Sequence, residues 1–392
     1  MRWISIKAAF LVILALCNIA GAVAQDHESF ERQFKQDIAA LGTESIEAVK
    51  VIYVSGDVGP WLDTGLKLRP GDQITTIALG QRWLSFEHNL SFESDLALWK
   101  RIGEGTEIFR GGKAHTFSAE NEGSLELKLY PTVRWLGIKG EYDGEPPLLA
   151  LDTGGGISVA ILHWKRGVNI STALEKLSIN SVSDHWAALA LAELRAPEET
   201  PPPGWQFLHE LGPSSIWSVD ANPSGANAPS RAIKASINND VSIITKTADL
   251  PLDHSSTLRW KWRMDNIPGE TAENSPLAHD YLSIAVAFDN GQDLTYYWSK
   301  EIEVGSHFAC PLPGWVFRET HIVARSGEKE LGKWLTEEKN ILADYQQAIG
   351  GELPKRITGV WLIGVGIFKK VAGAGAFGGI VLTNDAQHLR VF

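Results

Sequence analysis

Cysteine is nearly absent from this chain: two occur in 392 residues, Cys17 and Cys310. Cys17 falls in an N-terminal stretch read below as a cleaved leader, which leaves Cys310 alone. A single thiol forms no internal disulfide and assembles no Cys-based metal cluster. Cys310 is therefore expected to be a buried small hydrophobe, and neither a metal nor any other cofactor is expected. Positive charge is also scarce, with 36 Lys and Arg against 47 Asp and Glu. Such an acidic chain is repelled by phosphate backbones, so nucleic acid is not an expected partner. Long apolar runs are missing beyond the first 24 residues. No later segment approaches the roughly 20 apolar residues that a membrane helix needs, so the mature chain is expected to have no transmembrane span. The G-x-S-x-G elbow, H-E-x-x-H, the P-loop and the dinucleotide fingerprint are absent as well. The stretch AGAGAFGG at 372–379 lacks the Lys-Ser/Thr of a phosphate loop and reads as a loop before the last strand.

The N-terminus carries the signature of export. Arg2 and Lys7 supply a positive start, Ala8 to Ile19 a short apolar stretch, and Ala22-Val23-Ala24 a small-x-small cleavage site. Gln25 is then the first mature residue, in a periplasmic or secreted protein. Removing residues 1–24 leaves 34 basic and 47 acidic residues, a net charge of −13. The alternative is a lipoprotein anchored at Cys17, where Leu14-Ala15-Leu16-Cys17 faintly matches a lipobox. Leu16 is a poor residue before a lipidated cysteine, and a complete Ala-x-Ala site follows, which favours cleavage after Ala24.

Phe30, Phe34, Ile38 and Leu41, spaced three or four apart among charges, predict an N-terminal helix within 25–47. From Val49 the texture turns to short β-type runs punctuated by Gly, Pro, Asp and Asn: VKVIYV, QITTIAL, GSLELKLY and GISVAILHW. These place a β-sandwich at 48–170. Residues 171–204 hold helical TALEKL and HWAALALAELR and end in the Pro-rich linker APEETPPPG. Beyond it, TLRWKWRM, YLSIAVAF, LTYYWS, RETHIVARS, ITGVWLIGVGIF and GGIVL read as strands of a second sandwich at 205–392. LTEEKNILADYQQAIGG reads as one helical insertion that stops at Gly350-Gly351. The fold class is mainly β: two jelly-roll-like β-sandwich domains with a few short helices.

Fifteen tryptophans are present, and Trp stacks well on sugar rings, although in sandwiches most are core. In the first half Trp61-Leu62-Asp63-Thr64-Gly65 leads into Leu68-Arg69-Pro70-Gly71-Asp72-Gln73-Ile74, with Gly71-Asp72 in a tight turn. Leu98-Trp99-Lys100-Arg101-Ile102-Gly103 and Glu122-Gly123-Ser124-Leu125-Glu126-Leu127 follow. Over residues 48–166 this order resembles the galactose-binding-like sandwich of the bacterial galactophilic lectins. That resemblance implies calcium and sugar meeting at a late loop after an Asn-Asp pair. Here Leu129 is followed by Tyr130-Pro131 and the pair is absent. The nearby Asp143, Glu145 and Asp152 read as solvated loop charges, and Trp61 as core.

In the second half Leu258-Arg259-Trp260-Lys261-Trp262 precedes His279-Asp280-Tyr281, Leu294-Thr295-Tyr296-Tyr297-Trp298-Ser299 and Ile322-Val323-Ala324-Arg325-Ser326-Gly327. Leu331-Gly332-Lys333-Trp334, Asp344-Tyr345 and Val360-Trp361-Leu362-Ile363 complete the series. Over about 205–392 this order resembles the bacterial domain-of-unknown-function family number 3047. The resemblance implies a sandwich like those of carbohydrate-binding modules and hands over no activity. Many members carry an Asp-x-Asp run after the late strand, whereas Leu362 to Phe368 here holds no acid.

Strand alternation sorts the side chains. Leu258, Trp260, Trp262 and Met264 share a core face, and Arg259, Lys261 and Arg263 the other. Glu319, His321 and Arg325 are placed with Phe317 and Val323, and Tyr297 with Thr295. Arg263, Asp280, Tyr297, Glu319, His321 and Arg325 are the candidate binding residues. Arg forks suit carboxylates and aromatic rings suit stacking, so a polyhydroxylated or anionic ligand is the expectation. The leading reading is an exported carbohydrate-binding protein acting on envelope or extracellular polysaccharide. A second is a polysaccharide-active enzyme, either a glycoside hydrolase with paired carboxylates or a lyase using Tyr297, His321 and Arg325. A third is a structural or protein-binding envelope component.

Overall fold

The computed structural model describes residues 27–39, 43–56, 60–86, 89–130, 135, 137–141, 154–179, 185–267, 272–275, 281–312, 315–368 and 371–392. The expected leader with Cys17, the acids Asp143, Glu145 and Asp152, and the candidate Asp280 lie outside the described residues. The chain divides into two compact units at Pro197–Glu198.

Helix α1 spans residues 27–39. The strands of the first unit are β1 (Ile46–Ser55), β2 (Leu62–Leu68), β3 (Gln73–Ser85), β4 (Leu90–Glu93), β5 (Leu98–Ile102), β6 (Phe109–Arg110), β7 (Ala114–Ser118), β8 (Gly123–Leu129) and β9 (Gly154–Trp164). A single-turn α2 (Ser94–Ala97) sits between β4 and β5, and α3 (Ile170–Ser178) and α4 (Trp186–Arg195) follow β9. One sheet runs β1-β9-β3-β4, with β7 also on β3; the other runs β2-β8-β5-β6. Lys100 of the second sheet donates to Thr76 Oγ1 of the first over 2.9 Å, so these inner faces oppose each other. The outer face of the five-stranded sheet is apolar and is roofed by helices. Ile77, Ala160, Leu162 and Trp164 pack there against Phe34 of α1, Leu174 of α3 and Trp186 of α4. Asn169 caps α3 by accepting from the Thr172 N–H over 3.0 Å.

The second unit holds β10 (Gln206–Phe207), β11 (Trp217–Asp220), β12 (Ala232–Asn238), β13 (Val241–Pro251), β14 (Thr257–Asn266), β15 (Leu282–Phe288) and β16 (Asp293–Ser299). It continues with β17 (His307–Ala309), β18 (Glu319–Ser326), β19 (Leu335–Asn340), helix α5 (Ile341–Ala348), β20 (Arg356–Val365), β21 (Ala372–Thr383) and β22 (His388–Arg390). A seven-stranded sheet, β10-β13-β20-β15-β16-β18-β17, faces a six-stranded one, β11-β12-β21-β14-β19 with β22 on β21. Alternation delivers the core between them. Leu258, Trp260, Trp262 and Met264 of β14 meet Leu294, Tyr296 and Trp298 of β16 in one buried cluster. The molecule is thus mainly β, with a β-sandwich in each unit.

Two expectations for the second unit are corrected. Leu335–Asn340 is not the first turn of a helix but strand β19, paired with β14 from Trp262↔Leu335 to Thr257↔Asn340. Its acids are strand residues; the helix starts at Ile341, where Asn340 accepts from the Ala343 N–H over 2.9 Å. Residues 372–379 are not a loop but the first part of β21, paired with both β12 and β14. The small side chains there serve close approach. A Cβ on Gly375 would stand 2.7 Å from Met264 Sδ and 2.9 Å from the Arg263 carbonyl oxygen.

Candidate functional site

Strands β16 and β18 run parallel and set Asp293 beside Glu319, Thr295 beside His321 and Tyr297 beside Val323. This row lies on the outer face of the seven-stranded sheet, opposite the core-facing Tyr296 and Ile322. Tyr297, Glu319 and His321 are brought together there, all three buried. They do not line an open platform. Thr295 Oγ1 donates to Glu319 Oε1 over 2.9 Å and stands 3.3 Å from Asp293 Oδ1. His321 Nε2 lies 3.6 Å from Glu319 Oε1. Phe308 of β17 stacks on the imidazole at 5.3 Å between ring centroids, and Tyr297 meets it edge-on at 5.8 Å. Arg318 Nε stands 3.6 Å from Asp293 Oδ2, and its guanidinium sits 4.6 Å from the rings of both Trp315 and Trp361. Burial, followed by the Glu319 charge, pushes the Asp293 carboxyl well above the usual carboxylate range.

Cys310 joins this group. Its N–H donates to the Glu319 carbonyl over 2.8 Å, which sets it across the β17–β18 pair from Glu319. Cys310, Glu319 and His321 each offer a ligand atom, and the three atoms lie within 4.8 Å of one another. Cys310 is buried, as expected. Its neighbours, however, are a carboxylate and an imidazole, and the group can hold a metal ion where no cluster was expected.

Arg325 and Arg263 are elsewhere. A bulge after Tyr297↔Val323 shifts the pairing, so that Arg325 falls opposite the core-facing Trp298. Arg325 Nε therefore donates to Glu337 on β19 of the other sheet, and its Nη1 reaches Glu330 at 2.8 Å. The expected shared face of Glu319, His321 and Arg325 is broken by that extra residue. Phe317 precedes β18 and is 87% exposed, away from this buried face. Arg263 stays on the outer side of β14, where its Nε lies 2.8 Å from Asp265 and its guanidinium 5.5 Å from the Trp334 ring. The trio Tyr297, His321 and Arg325 of the lyase reading consequently does not converge.

The first unit carries an open cleft of about 880 Å³. Its walls come from Glu47 on β1, Lys67 and Leu68 at the end of β2, Arg69 and Asp72 of the β2–β3 turn, Glu122 and Gly123 at the start of β8, and His163 to Arg166 at the end of β9. The turn is built by its sequence. Pro70 and Gly71 occupy its centre, Gly71 at φ +87°, and the Asp72 N–H donates to the Arg69 carbonyl over 3.0 Å. Asp72 is thereby fixed in the cleft wall. Its Oδ2 accepts from the Arg69 N–H at 2.8 Å and its Oδ1 from Arg166 Nη2 at 3.0 Å, with His163 Nε2 at 3.5 Å. Burial raises the Asp72 carboxyl, but the bonds from Arg69 and Arg166 and the neighbouring charges of His163 and Arg166 outweigh it and hold it below the usual range. The Arg-Pro-Gly-Asp turn was visible in the sequence. Its partners, about 50 to 95 positions away, were not.

Trp61, expected in the core, is half-buried at the edge of a small cluster with Trp99, Tyr130 and Trp135. The Arg101 guanidinium lies 4.6 Å from its ring.

No curated protein matches the chain. Among solved structures, the N-terminal domain of EclA, a PllA-like lectin, is 18% identical, with 31% of this chain and 98% of that one covered at a TM-score of 0.22. The xyloglucanase domain of NopAA from Sinorhizobium fredii is 10% identical, with 47% and 96% covered and a TM-score of 0.29. The family 30 carbohydrate-binding module of a Clostridium thermocellum cellulosomal cellulase is 9% identical, with 47% and 88% covered and a TM-score of 0.24. Over residues 223–381, within the second unit, the chain matches the family described as Protein of unknown function (DUF3047).

Proposed function

We propose that this chain is an exported carbohydrate-binding protein whose first unit holds a neutral, polyhydroxylated ligand in the Asp72 cleft. Export rests on the charged start, apolar stretch and Ala22-Val23-Ala24 site of the leader sequence. The observation that carries the ligand class is the fixed Asp72–Arg166 pair in a cleft of about 880 Å³. A sugar hydroxyl both donates and accepts, so it is best met by carboxylates and guanidinium groups side by side. Asp72 is already oriented by three partners, which lowers the ordering cost on binding. The lining is close to charge-balanced. Lys67, Arg69, Lys165 and Arg166 face Glu47, Asp72 and Glu122, which favours a neutral ligand over a phosphate. The volume falls within the roughly 300–1,000 Å³ of small-ligand sites. Envelope or extracellular polysaccharide is the source of ligand consistent with export.

The test is retention of the full mature chain on immobilised polysaccharides and on a glycan array. Wild type should be retained by at least one neutral glycan, and Arg166→Ala and Asp72→Asn should each weaken retention at least tenfold with an unchanged circular dichroism spectrum. A wild-type chain that binds no glycan, or variants that bind as wild type does, would sink the reading.

A further inference from the structure

We infer that Cys310, Glu319 and His321 form a buried site for a borderline divalent transition ion, zinc above all. The proposal concerns the second unit and does not rest on the sugar cleft. The topology assembles the set. Glu319 and His321 are two apart on β18 and so share a face. Antiparallel β17 places Phe308 opposite His321 and carries Cys310 to a point opposite Glu319. Parallel β16 brings Asp293 beside Glu319. The Cys310, Glu319 and His321 donor atoms already lie within 4.8 Å of one another. Donors around a tetrahedral zinc stand about 3.4–3.8 Å apart, so small side-chain adjustments bring the three onto one ion.

Asp293 stands beside Glu319 but is 1% exposed and ion-paired with Arg318, whose Nε lies 3.6 Å from its Oδ2. That pair is neutral overall, so the charge left for an ion is that of the trio. Charge balances: the Cys310 thiolate and the Glu319 carboxylate sum to −2, which a divalent ion cancels in a setting that penalises net charge. A thiolate, an imidazole and a carboxylate together suit zinc better than magnesium or calcium, which prefer oxygen alone. The surroundings orient the ligands as outer partners of metal sites do. Thr295 Oγ1 donates to Glu319 Oε1, while Phe308 and Tyr297 hold the imidazole between them. Full burial fits a structural ion and disfavours a nucleophilic thiol, which needs a path for substrate.

Cobalt titration of the full chain, purified through a chelator, tests this. One equivalent of Co²⁺ should bind, with a thiolate-to-cobalt charge-transfer band. Zinc should displace it. Cys310→Ser should abolish the charge-transfer band, and Glu319→Gln should weaken binding at least tenfold. His307→Ala, an exposed histidine on the same β17, should change neither. Near-UV circular dichroism of each variant reports whether the sandwich is intact. A folded wild-type chain that binds no stoichiometric Co²⁺ overturns the proposal. So does a folded Cys310→Ser chain with an unchanged spectrum.

Discussion

Lys100 Nζ lies 3.0 Å from His115 Nδ1 between the two sheets of the first unit. The ammonium also donates to Thr76 Oγ1 at 2.9 Å and to the Gly111 carbonyl at 3.1 Å. Phe109 and Phe117 close over it, with ring centroids 5.4 and 4.7 Å away. Burial pulls the lysine down to about 7, only partly opposed by the Glu193 charge. The Lys100 charge, then burial, pulls His115 down to about 3.

The stability of the protein should therefore rise with pH in alkaline solution. A lysine that titrates near 7 when folded and near 10.5 when unfolded binds fewer protons in the native state between those values. Stability then climbs as pH rises through that window and is lowest below it. The slope from one group is at most about 1.4 kcal/mol per pH unit. Urea unfolding of wild type and Lys100→Met at pH 7, 8.5 and 10 measures the difference. Wild type should gain stability relative to the variant across the series; parallel profiles would refute the assignment.

Glycine at 375 is a packing requirement of the central strand β21. An alanine methyl would press on Met264 Sδ, the Arg263 carbonyl and Leu282 Cδ1, all within 3.0 Å. A carbonyl in a paired strand cannot swing away as a flexible side chain can. Gly375→Ala should cost about 1–3 kcal/mol. Gly291, at a turn with φ +81° and open space around it, provides the contrast. Alanine there should cost about 1 kcal/mol through backbone conformation alone. Thermal or urea unfolding of both variants would separate the two causes.

How legible the molecule was depends on the range of the contacts concerned. Alternation along β14 placed Leu258, Trp260, Trp262 and Met264 in the core because strand periodicity is local. The same rule placed Glu319 and His321 correctly on one face and failed at Arg325, because the bulge is a property of the β16–β18 pairing and leaves no mark in either strand. Cys310 could not be matched to Glu319, since β17 is three residues long and shows no pattern. The helix expected from Leu335 was drawn from acids that look like a first turn. Pairing with β14 overrode that local preference.

Arg325 should prove a structural residue and not a ligand contact. Glu337 is buried and accepts from both Arg325 and Trp262 Nε1, the latter at 3.1 Å. Removing the guanidinium leaves a carboxylate short of a partner in a largely dry place. Arg325→Leu should lower stability by about 1–3 kcal/mol, and Arg325→Lys should recover only part because one ammonium cannot serve Glu330 and Glu337 in a fixed fork. Glycan retention should be unchanged in whichever variant remains folded. Weaker retention at constant stability would return Arg325 to a binding role.

Gly71 couples turn conformation to the cleft. At φ +87° it adopts a backbone that side chains disfavour, while nothing lies within 4 Å of where a Cβ would stand. Gly71→Ala therefore carries no clash, only a conformational cost of about 1 kcal/mol. Part of that strain can be relieved by rotating the turn, and rotation takes Asp72 off Arg166 and His163 because its Oδ2 is tied to the Arg69 N–H of the same turn. Gly71→Ala should then weaken glycan retention more than its small loss of stability implies. Gly105→Ala, also in the left-handed region at φ +73° with open space, should lose similar stability and keep full retention. Equal retention by the two variants would show that the turn's conformation does not set the Asp72 carboxylate for the ligand.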